Sequence, residues 1–202
     1  MQIACLDLEG VLVPEIWINV AERTGIDALR ATTRDIPDYD ALMRQRLRLL
    51  DEHNLKLADI QEVVAGMGPM DGACEFLDLL RQTFQVIILS DTFYEFAAPL
   101  MKQLGHPTLL CHRLDIDGEG RVADYHLRMP EHKREGVKAL HQLNFKVIAA
   151  GDSYNDTSML SEANAGILFS PPQNVIDEFP QFPVTTTYNE LTAAFKKASA
   201  EI

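Results

Sequence analysis

The 202-residue sequence has few cysteines, no excess of basic charge and no long apolar run. Its three cysteines, Cys5, Cys74 and Cys111, lie far apart without a CxxC or Cys/His cluster, so neither a disulfide framework nor a zinc site is expected. A formal net charge of −12 opposes nucleic-acid binding, because a surface that repels phosphate backbones gains nothing from counterion release. The same negative field opposes an anionic substrate, so a phosphate site would need local cations or a metal.

The sequence also lacks the segments that target a protein to a membrane. Its N-terminus, MQIACLDLEG, has no basic n-region and contains two acids, which argues against a secretory signal peptide. No apolar run reaches the roughly 18 residues that cross a bilayer. We therefore expect a cytoplasmic protein with neither a membrane nor a nucleic acid as partner.

What the sequence does contain is an alternation of strands and helices. Its short apolar runs are continuous rather than alternating, which is typical of parallel strands covered on both faces. These runs lie at 3–6, 86–89, 108–111, 147–150 and 166–169, and helical spacing occupies 73–82, 93–104, 133–143 and 156–162. This order predicts an α/β fold with a Rossmann-like, doubly wound parallel sheet.

Two segments interrupt the alternation. Residues 14–67 contain helical patterns but no good strand, and they are too long for an ordinary connection, so we expect an inserted helical cap there. Residues 113–128 alternate around a glycine-bearing turn and predict a β-hairpin. The predicted domains are a catalytic core of residues 1–13 and 68–202 and a cap of residues 14–67. A proline-rich tail then leads to a final amphipathic helix from about Asn189.

Polar side chains follow three of the predicted strands, at the edge where open α/β sheets bind ligands. In chain order these are Asp7 and Glu9, then Ser90, Asp91 and Thr92, then Asp152, Asn155 and Asp156, with Lys133 at the start of a helix. Any one of them alone is more commonly a turn or capping residue. Their arrival together at one edge of a parallel sheet indicates a shared site.

The chemistry of this set suits phosphoryl transfer assisted by magnesium. A carboxylate such as Asp7 can act as a nucleophile and form an acyl phosphate. Asp7 and Asp152, with a backbone carbonyl near Glu9, supply the hard oxygen ligands that Mg²⁺ prefers. Ser90 and Lys133 can hold the phosphate oxygens. Glu9 can protonate the leaving oxygen and later take a proton from the acceptor.

The ordered set resembles the haloacid-dehalogenase superfamily, whose pattern is D-x-[DT]-G-[TV], a hydrophobic run ending in Ser or Thr, a Lys, and G-D-x-x-N-D. The matching residues are DLEGV at 7–11, VIILS at 86–90, Lys133, and GDSYND at 151–156. The resemblance spans nearly the whole chain, including the cap. It implies catalytic roles for Asp7 and Glu9, a magnesium site at Asp7, Glu9 and Asp152 supported by Asp156, and phosphate binding by Ser90, Asp91, Thr92 and Lys133.

Within this superfamily the sequence is most similar to phosphoserine phosphatases, in which a cap Glu contacts the substrate's amino group and a cap Arg its carboxylate. Glu15 and Arg46 occupy the matching places, although Arg44 and Arg48 have similar claims to the second role. Asn155 is a further candidate for substrate binding. The charges suit an amino acid, since Arg grips a carboxylate through two hydrogen bonds and Glu pairs with an ammonium.

Two departures from the phosphoserine phosphatase pattern narrow the resemblance. Glu9 stands where an Asp is usual, and Asp91 and Thr92 replace two glycines after Ser90. Both features, together with the stretches at 33–39 and 178–183, are shared with bacterial phosphoserine:homoserine phosphotransferases. The resemblance implies that phosphoserine donates its phosphate to Asp7, and that water or homoserine then accepts it.

Other functions stay open at this point. A phosphatase for another small phosphate ester would keep the core chemistry without the roles of Glu15 and Arg46. A signalling receiver module also surrounds Mg²⁺ with Asp, Ser or Thr, and Lys, but its phosphorylated Asp follows a later strand, so the site order disagrees. A catalytically inactive binding protein is a third alternative. The sequence also leaves open the acceptor and the choice between monomer and homodimer.

Overall fold

The computed structural model describes residues 1–32, 35–36 and 38–202. Its strands are β1 (Gln2–Leu6), β2 (Gln85–Phe93), β3 (Thr108–Ile116), β4 (Val122–His126), β5 (Lys146–Gly151), β6 (Ala165–Phe169) and β7 (Val184–Thr185). Its α-helices are α1 (Ile16–Thr24), α2 (Tyr39–Glu52), α3 (Leu57–Met67), α4 (Ala73–Arg81), α5 (Tyr94–Gln103), α6 (His132–Gln142), α7 (Thr157–Glu162), α8 (Gln173–Glu178) and α9 (Tyr188–Glu201). Within the described ranges, no helix is both long and apolar enough to cross a membrane.

The strands of the described residues form one sheet in the order β4-β3-β2-β1-β5-β6-β7. Neighbouring strands are parallel, except that β3 and β4 form the predicted antiparallel hairpin. The chain moves outward from β1 through β2 and β3, then crosses to the other side of β1 at β5. The carboxyl ends of β1 and β5 therefore border the switch point where open α/β sheets bind ligands. The predicted doubly wound α/β fold is confirmed.

Side chains alternate along β1 between two apolar layers, as the two-residue period of a strand requires. Ala4 and Leu6 belong to a layer that packs against α4, α5 and α9. Ile3 and Cys5 belong to a second layer that packs against α6, α7 and α8. Burial on both faces explains why this strand is a continuous apolar run in the sequence.

The segment between β1 and α4 is helical, as predicted, and contains α1, α2 and α3. Helix α2 begins after Asp38, whose carboxylate accepts a hydrogen bond from the N–H of Ala41 at 2.8 Å and caps the helix. Apolar side chains of this segment, including Met43 and Val64, join the same layer as Ala4. Because that layer is shared, the boundary between a core and a cap at residues 14–67 stays a prediction. Three positions of the stretch 33–39, namely 33, 34 and 37, lie outside the described residues.

Three elements differ from the sequence-based expectation. Strand β2 continues to Phe93, and its pairing with β3 changes register between Leu89 and Phe93. Ser90, Asp91 and Thr92 therefore lie within the irregular end of a strand rather than after it. Helix α8 lies within the proline-rich tail and strand β7 directly follows it, and the sequence predicted neither element.

Candidate active site

A cavity of about 470 Å³ lies between the carboxyl ends of the central strands and helices α1 and α2. Its lining includes the predicted site residues Asp7, Glu9, Glu15, Arg46, Ser90, Asp91, Thr92, Lys133, Asp152 and Asn155. Asp156, the last predicted member, is fully buried behind this lining. A larger cavity of about 820 Å³ beside β6 and α9 is lined by none of these residues. The predicted catalytic and binding residues therefore converge on the smaller cavity.

Asp7 is positioned by the two central strands. It follows β1 directly, and its backbone N–H donates to the carbonyl of Ala150 in β5 at 3.0 Å. The loop then turns at Gly10, where φ is +76°, and a Cβ atom at this position would lie 2.4 Å from Cγ of Asp152. Only glycine combines that backbone conformation with so close an approach. Gly10 thus lets the first loop lie directly against the carboxylate that follows β5.

Asp156 fixes the backbone of the loop that follows β5. Its Oδ2 accepts hydrogen bonds from the backbone N–H groups of Asp152 at 3.0 Å and Ser153 at 3.2 Å. Gly151 allows this arrangement, since a Cβ there would lie 2.4 Å from Cγ of Asp156. A carboxylate with two backbone donors is fixed in place. Asp156 therefore holds Asp152 at the cavity without lining the cavity itself.

Lys133 lies at the centre of the charged groups and is buried, with 3% of its surface exposed. Its Nζ is 2.7 Å from Oδ1 of Asp156, 3.1 Å from Oδ1 of Asp7 and 3.1 Å from Oδ2 of Asp91. Burial opposes its charge, but the three carboxylates outweigh burial and raise the pKa of Lys133 well above its usual value. Lys133 is therefore a permanent cation beside Asp7.

Asp7, Asp152 and Asp156 each offer a carboxylate oxygen within 4.8 Å of the others. Burial, followed by the charge of Asp156, raises the pKa of Asp7 well above its usual value, and the same two causes raise that of Asp152 to about 7. Crowded carboxylates shift in this way when too few cations offset them. A hard divalent cation with oxygen ligands would remove the conflict, so this donor set fits Mg²⁺.

The side chain of Glu9 faces helix α1 rather than this carboxylate group. Its Oε2 accepts a hydrogen bond from the N–H of Ile16, the first residue of α1, at 2.8 Å. Burial, then the neighbouring charge of Glu15, raises the pKa of Glu9 to about 8. At neutral pH the carboxyl is therefore mostly protonated and able to donate a proton. Its backbone carbonyl, not its carboxylate, stays the predicted metal ligand.

Arg46 is the buried arginine of α2, a helix that the structure describes completely. Its guanidinium lies 4.5 Å from the ring centroid of Trp17 and donates from Nη2 to the carbonyl of Ala31 at 2.9 Å. Its Nε is buried and has no hydrogen-bond partner within the part of the chain that the structure describes. Burial lowers the pKa of Arg46 to about 10, which still leaves the group charged at neutral pH. Because Arg46 lines the cavity, its charged guanidinium is suited to an anionic group of a ligand.

Arg44 and Arg48 lie on the outside of the same helix. Arg44 pairs with Asp124 at 2.7 Å, and Arg48 lies 3.6 Å from Glu52, with both arginine side chains more than half exposed. Neither lines the cavity. The structure thus separates three arginines that the sequence left with similar claims. Helical periodicity could have distinguished Arg46 as the buried arginine, because it shares a helix face with the buried Met43 and Leu50.

The end of β2 supplies a second wall of the cavity. Ser90 and Thr92 are buried, and Oγ of Ser90 accepts the N–H of Thr92 at 3.3 Å. Asp91 is ionised: although burial would raise its pKa, Lys133 and then two histidines hold that pKa well below the usual value. An ionised carboxylate only accepts hydrogen bonds, so phosphate contacts at position 91 could come only from its backbone N–H. Asn155 donates from Nδ2 to Oδ2 of Asp91 at 2.7 Å.

The two histidines beside Asp91 were not found from the sequence. His112 lies in β3 and His132 begins α6, and both are buried, with 3% exposed. Neither belongs to a motif, so only the folded sheet brings them together. Trp17 of α1 and Tyr39 of α2, which also line the cavity, were missed for the same reason.

Comparisons with known proteins give a consistent result. Residues 1–164 match the haloacid dehalogenase-like hydrolase family. A Pseudomonas aeruginosa protein named phosphoserine phosphatase ThrH is 68% identical over 200 residues, which cover 99% of this chain and 98% of that protein. A Pseudomonas syringae pv. tomato protein named phosphoserine phosphatase is 66% identical over 199 residues, covering 98% of this chain and 84% of that protein.

Solved structures share the fold at low sequence identity. A structure described as a phospho-aspartyl intermediate analogue of phosphoserine phosphatase superposes with a TM-score of 0.77 at 17% identity, covering 95% of this chain and 97% of that chain. A phosphoserine phosphatase in apo form gives a TM-score of 0.73 at 19% identity, covering 88% and 90% of the two chains. At such identities the likeness concerns the fold alone.

Proposed function

The chain belongs to the haloacid dehalogenase-like hydrolases, and from that premise we propose that it is a magnesium-dependent phosphoserine phosphatase that also transfers phosphate to homoserine. The observation that carries this proposal is the convergence on Asp7 of one buried cation, Lys133, and two further carboxylates, Asp152 and Asp156. The names of the two relatives, each about two-thirds identical over nearly the whole chain, support phosphoserine as the substrate. The cytoplasmic location and a homodimer stay predictions.

In the first step, a carboxylate oxygen of Asp7 attacks phosphorus, and the bond from phosphorus to the serine oxygen breaks. Glu9 gives its proton to that oxygen, so serine leaves as a neutral alcohol. The raised pKa of Glu9 keeps this proton available at neutral pH. Lys133, 3.1 Å from Asp7, offsets negative charge on the transferred group, and Ser90 is placed to donate its hydroxyl hydrogen.

Magnesium would be held by Asp7 and Asp152, with the backbone carbonyl of Glu9, and when bound it supplies the positive charge that lets a carboxylate approach a phosphate ester. Asp156 supports this site by fixing the backbone of Asp152. Lys133 alone cannot neutralise the carboxylates around it, as the raised pKa of Asp152 indicates. The donor set therefore supports a divalent cation as part of the working enzyme.

Arg46 and Glu15 would recognise the amino-acid part of the substrate. The guanidinium of Arg46, which lines the cavity, would pair with the carboxylate, and Glu15, which also lines the cavity, would accept from the ammonium. Homoserine carries the same two groups, so it can occupy this place once serine has left. Its hydroxyl, or a water molecule, then attacks the phosphoryl group and gives its proton to Glu9, while the bond from phosphorus to the Asp7 oxygen breaks and the Asp7 carboxylate is regenerated.

The decisive experiment supplies phosphoserine and magnesium with and without homoserine, and measures serine, inorganic phosphate and phosphohomoserine. We expect serine in both reactions, phosphohomoserine only when homoserine is present, and loss of all products in a chelator. A reaction that yields serine and phosphate but never phosphohomoserine would remove the transfer activity and leave the phosphatase standing.

Asp7→Asn should abolish both activities, because an amide oxygen is too weak a nucleophile to form the phosphorylated intermediate. Asp78→Asn is the matched control: Asp78 lies in α4, pairs with Arg81 at 3.2 Å and is 74% exposed. It should retain the activity of the original protein. Turnover of phosphoserine by the Asp7 variant at an undiminished rate would contradict the assignment of the nucleophile.

A further inference from the structure

The carboxylate of Asp91 is surrounded by donors on both oxygens. Oδ1 is 2.9 Å from Nε2 of His132 and 3.7 Å from Nε2 of His112. Oδ2 is 3.1 Å from Nζ of Lys133 and 2.7 Å from Nδ2 of Asn155. The side chain is 38% exposed, and it lines the cavity. A negative charge is thus held rigidly in the wall of a site that must bind phosphate.

The neighbours of the two imidazoles decide which nitrogen carries the proton. Nδ1 of His112 accepts the backbone N–H of Arg128 at 3.2 Å, and Nδ1 of His132 faces Nη2 of the same residue at 3.5 Å. A guanidinium and a backbone N–H only donate, so each Nδ1 is the acceptor and each Nε2 bears hydrogen. Both Nε2–H groups point to Asp91. A metal would need the Nε2 lone pairs, so Asp91, His112 and His132 form a carboxylate-holding cluster rather than a metal site.

Lys133 has three N–H groups, and three carboxylates of the described chain already surround them, at 2.7 to 3.1 Å. Phosphate can bind Lys133 only by displacing one of these contacts. Asp156 is held by two backbone N–H groups, and Asp7 is the residue that becomes phosphorylated. Asp91 remains as the fixed competitor, because the two histidines and Asn155 keep it in place. It competes with phosphate for Lys133 and for Asn155, and its charge repels phosphate directly.

We propose that Asp91 is a positioning residue that weakens the binding of free inorganic phosphate and so speeds release of this product. The inference rests on the proposed phosphatase function. Repulsion by Asp91 affects the species that bind in the cavity unequally. Phosphoserine is also held by Arg46 and Glu15, and the phosphoryl group on Asp7 is held by a covalent bond, whereas inorganic phosphate has neither anchor. Repulsion from Asp91 therefore discriminates against the product.

The test is the dissociation constant of inorganic phosphate, measured by titration calorimetry on the full chain with excess magnesium. Asp91→Asn removes the charge and Asp91→Ser removes the carboxylate altogether. Each should bind phosphate at least tenfold more tightly, because removing one like charge a few ångström away at an effective dielectric constant of about 20 can change affinity by up to roughly a thousandfold. Phosphate should also inhibit turnover at correspondingly lower concentration. Damage to the site would weaken binding, so a gain in affinity is not a by-product of misfolding.

Asp115→Asn is the matched control. Asp115 also pairs with a histidine, His126 at 2.7 Å, but it lies outside the cavity and is 58% exposed. This variant should bind phosphate as the original protein does. Unchanged or weaker phosphate binding in both Asp91 variants overturns the inference, even if the protein hydrolyses phosphoserine. Failure of the unaltered protein to release phosphate from phosphoserine would instead overturn the proposed function. The dissociation constants of inorganic phosphate would still show whether Asp91 weakens phosphate binding.

Discussion

At the scale of single residues, the cavity is defined by side chains whose burial conflicts with their charge. Arg46 is 7% exposed, packs on Trp17 and has an Nε without a partner in the described chain. A buried guanidinium with few partners costs free energy, so such a group is tolerated where a ligand in the cavity supplies an acceptor of opposite charge. The substrate carboxylate is the acceptor that the proposed function provides.

Arg46→Lys keeps the positive charge but loses the planar pair of donors that grips a carboxylate. We expect kcat/KM for phosphoserine to fall about tenfold to a hundredfold, the loss that corresponds to a hydrogen bond between charged groups. Hydrolysis of phosphoethanolamine, which lacks the carboxylate, should be much less affected. Arg48→Lys, on the exposed side of the same helix, is the control and should leave both rates unchanged. Equal losses on the two substrates would contradict carboxylate recognition by Arg46.

The sequence predicted the acids, Lys133 and the order of the motifs, because each follows a recognisable strand or begins a helix. It could not predict that His112 and His132 meet at Asp91. His112 lies within β3, where it reads as an ordinary strand residue, and its partner depends on how β3 and α6 pack. Contacts of this kind arise from tertiary packing and leave no local signal.

At the scale of elements, the β3–β4 hairpin holds helix α2. Arg44 of α2 pairs with Asp124 of β4 at 2.7 Å, and the hydroxyl of Tyr125 donates to Asp40 at 2.5 Å. The ring of Tyr39 also meets that of Tyr125 edge to face, with centroids 6.1 Å apart. These contacts are made by the helix that carries Arg46. They stabilise the position of α2 over the cavity.

Arg44→Ala should loosen α2 without unfolding the protein, since exposed ion pairs contribute little to global stability. We expect backbone amides of α2 to exchange hydrogen severalfold faster, while the denaturation midpoint barely moves. Arg48→Ala provides the comparison, because Arg48 contacts Glu52 of its own helix instead of the hairpin. Exchange in α2 that is equally fast in both variants would show that the hairpin does not hold the helix.

The elements also show which strands a sequence pattern can predict and which it cannot. The continuous apolar runs of β1 and β5 identified buried parallel strands correctly, because both faces of the sheet are covered. The end of β2 was placed too early, since Ser90, Asp91 and Thr92 are polar and a strand that enters an active site must be polar there. Strand β7 has two residues and pairs only with β6 among the described strands, so no periodicity could reveal it.

At the scale of the whole molecule, the buried acids of the cavity belong to a chain whose formal net charge is −12. Folding raises the pKa of Asp152 to about 7 and that of Glu9 to about 8, in each case mainly through burial. The unfolded chain releases these protons near pH 4. Between about pH 4 and pH 8 the folded state therefore binds more protons than the unfolded state. Stability contributed by these groups is present below about pH 4 and is lost as the pH rises through 7 and 8.

Magnesium should reverse this trend, because its ligands must be ionised and its charge offsets theirs. Without metal, we expect the free energy of unfolding to fall by more than about 1 kcal/mol between about pH 6 and pH 8.5. Added magnesium should raise the melting temperature strongly at the higher pH and weakly at about pH 5, where protons compete for Asp7 and Asp152. Asp152→Asn should reduce the metal-free pH dependence to the part that Glu9 contributes and abolish most of the magnesium effect, whereas Asp115→Asn should change neither. An equal magnesium effect at both pH values would show that these carboxylates do not bind the ion.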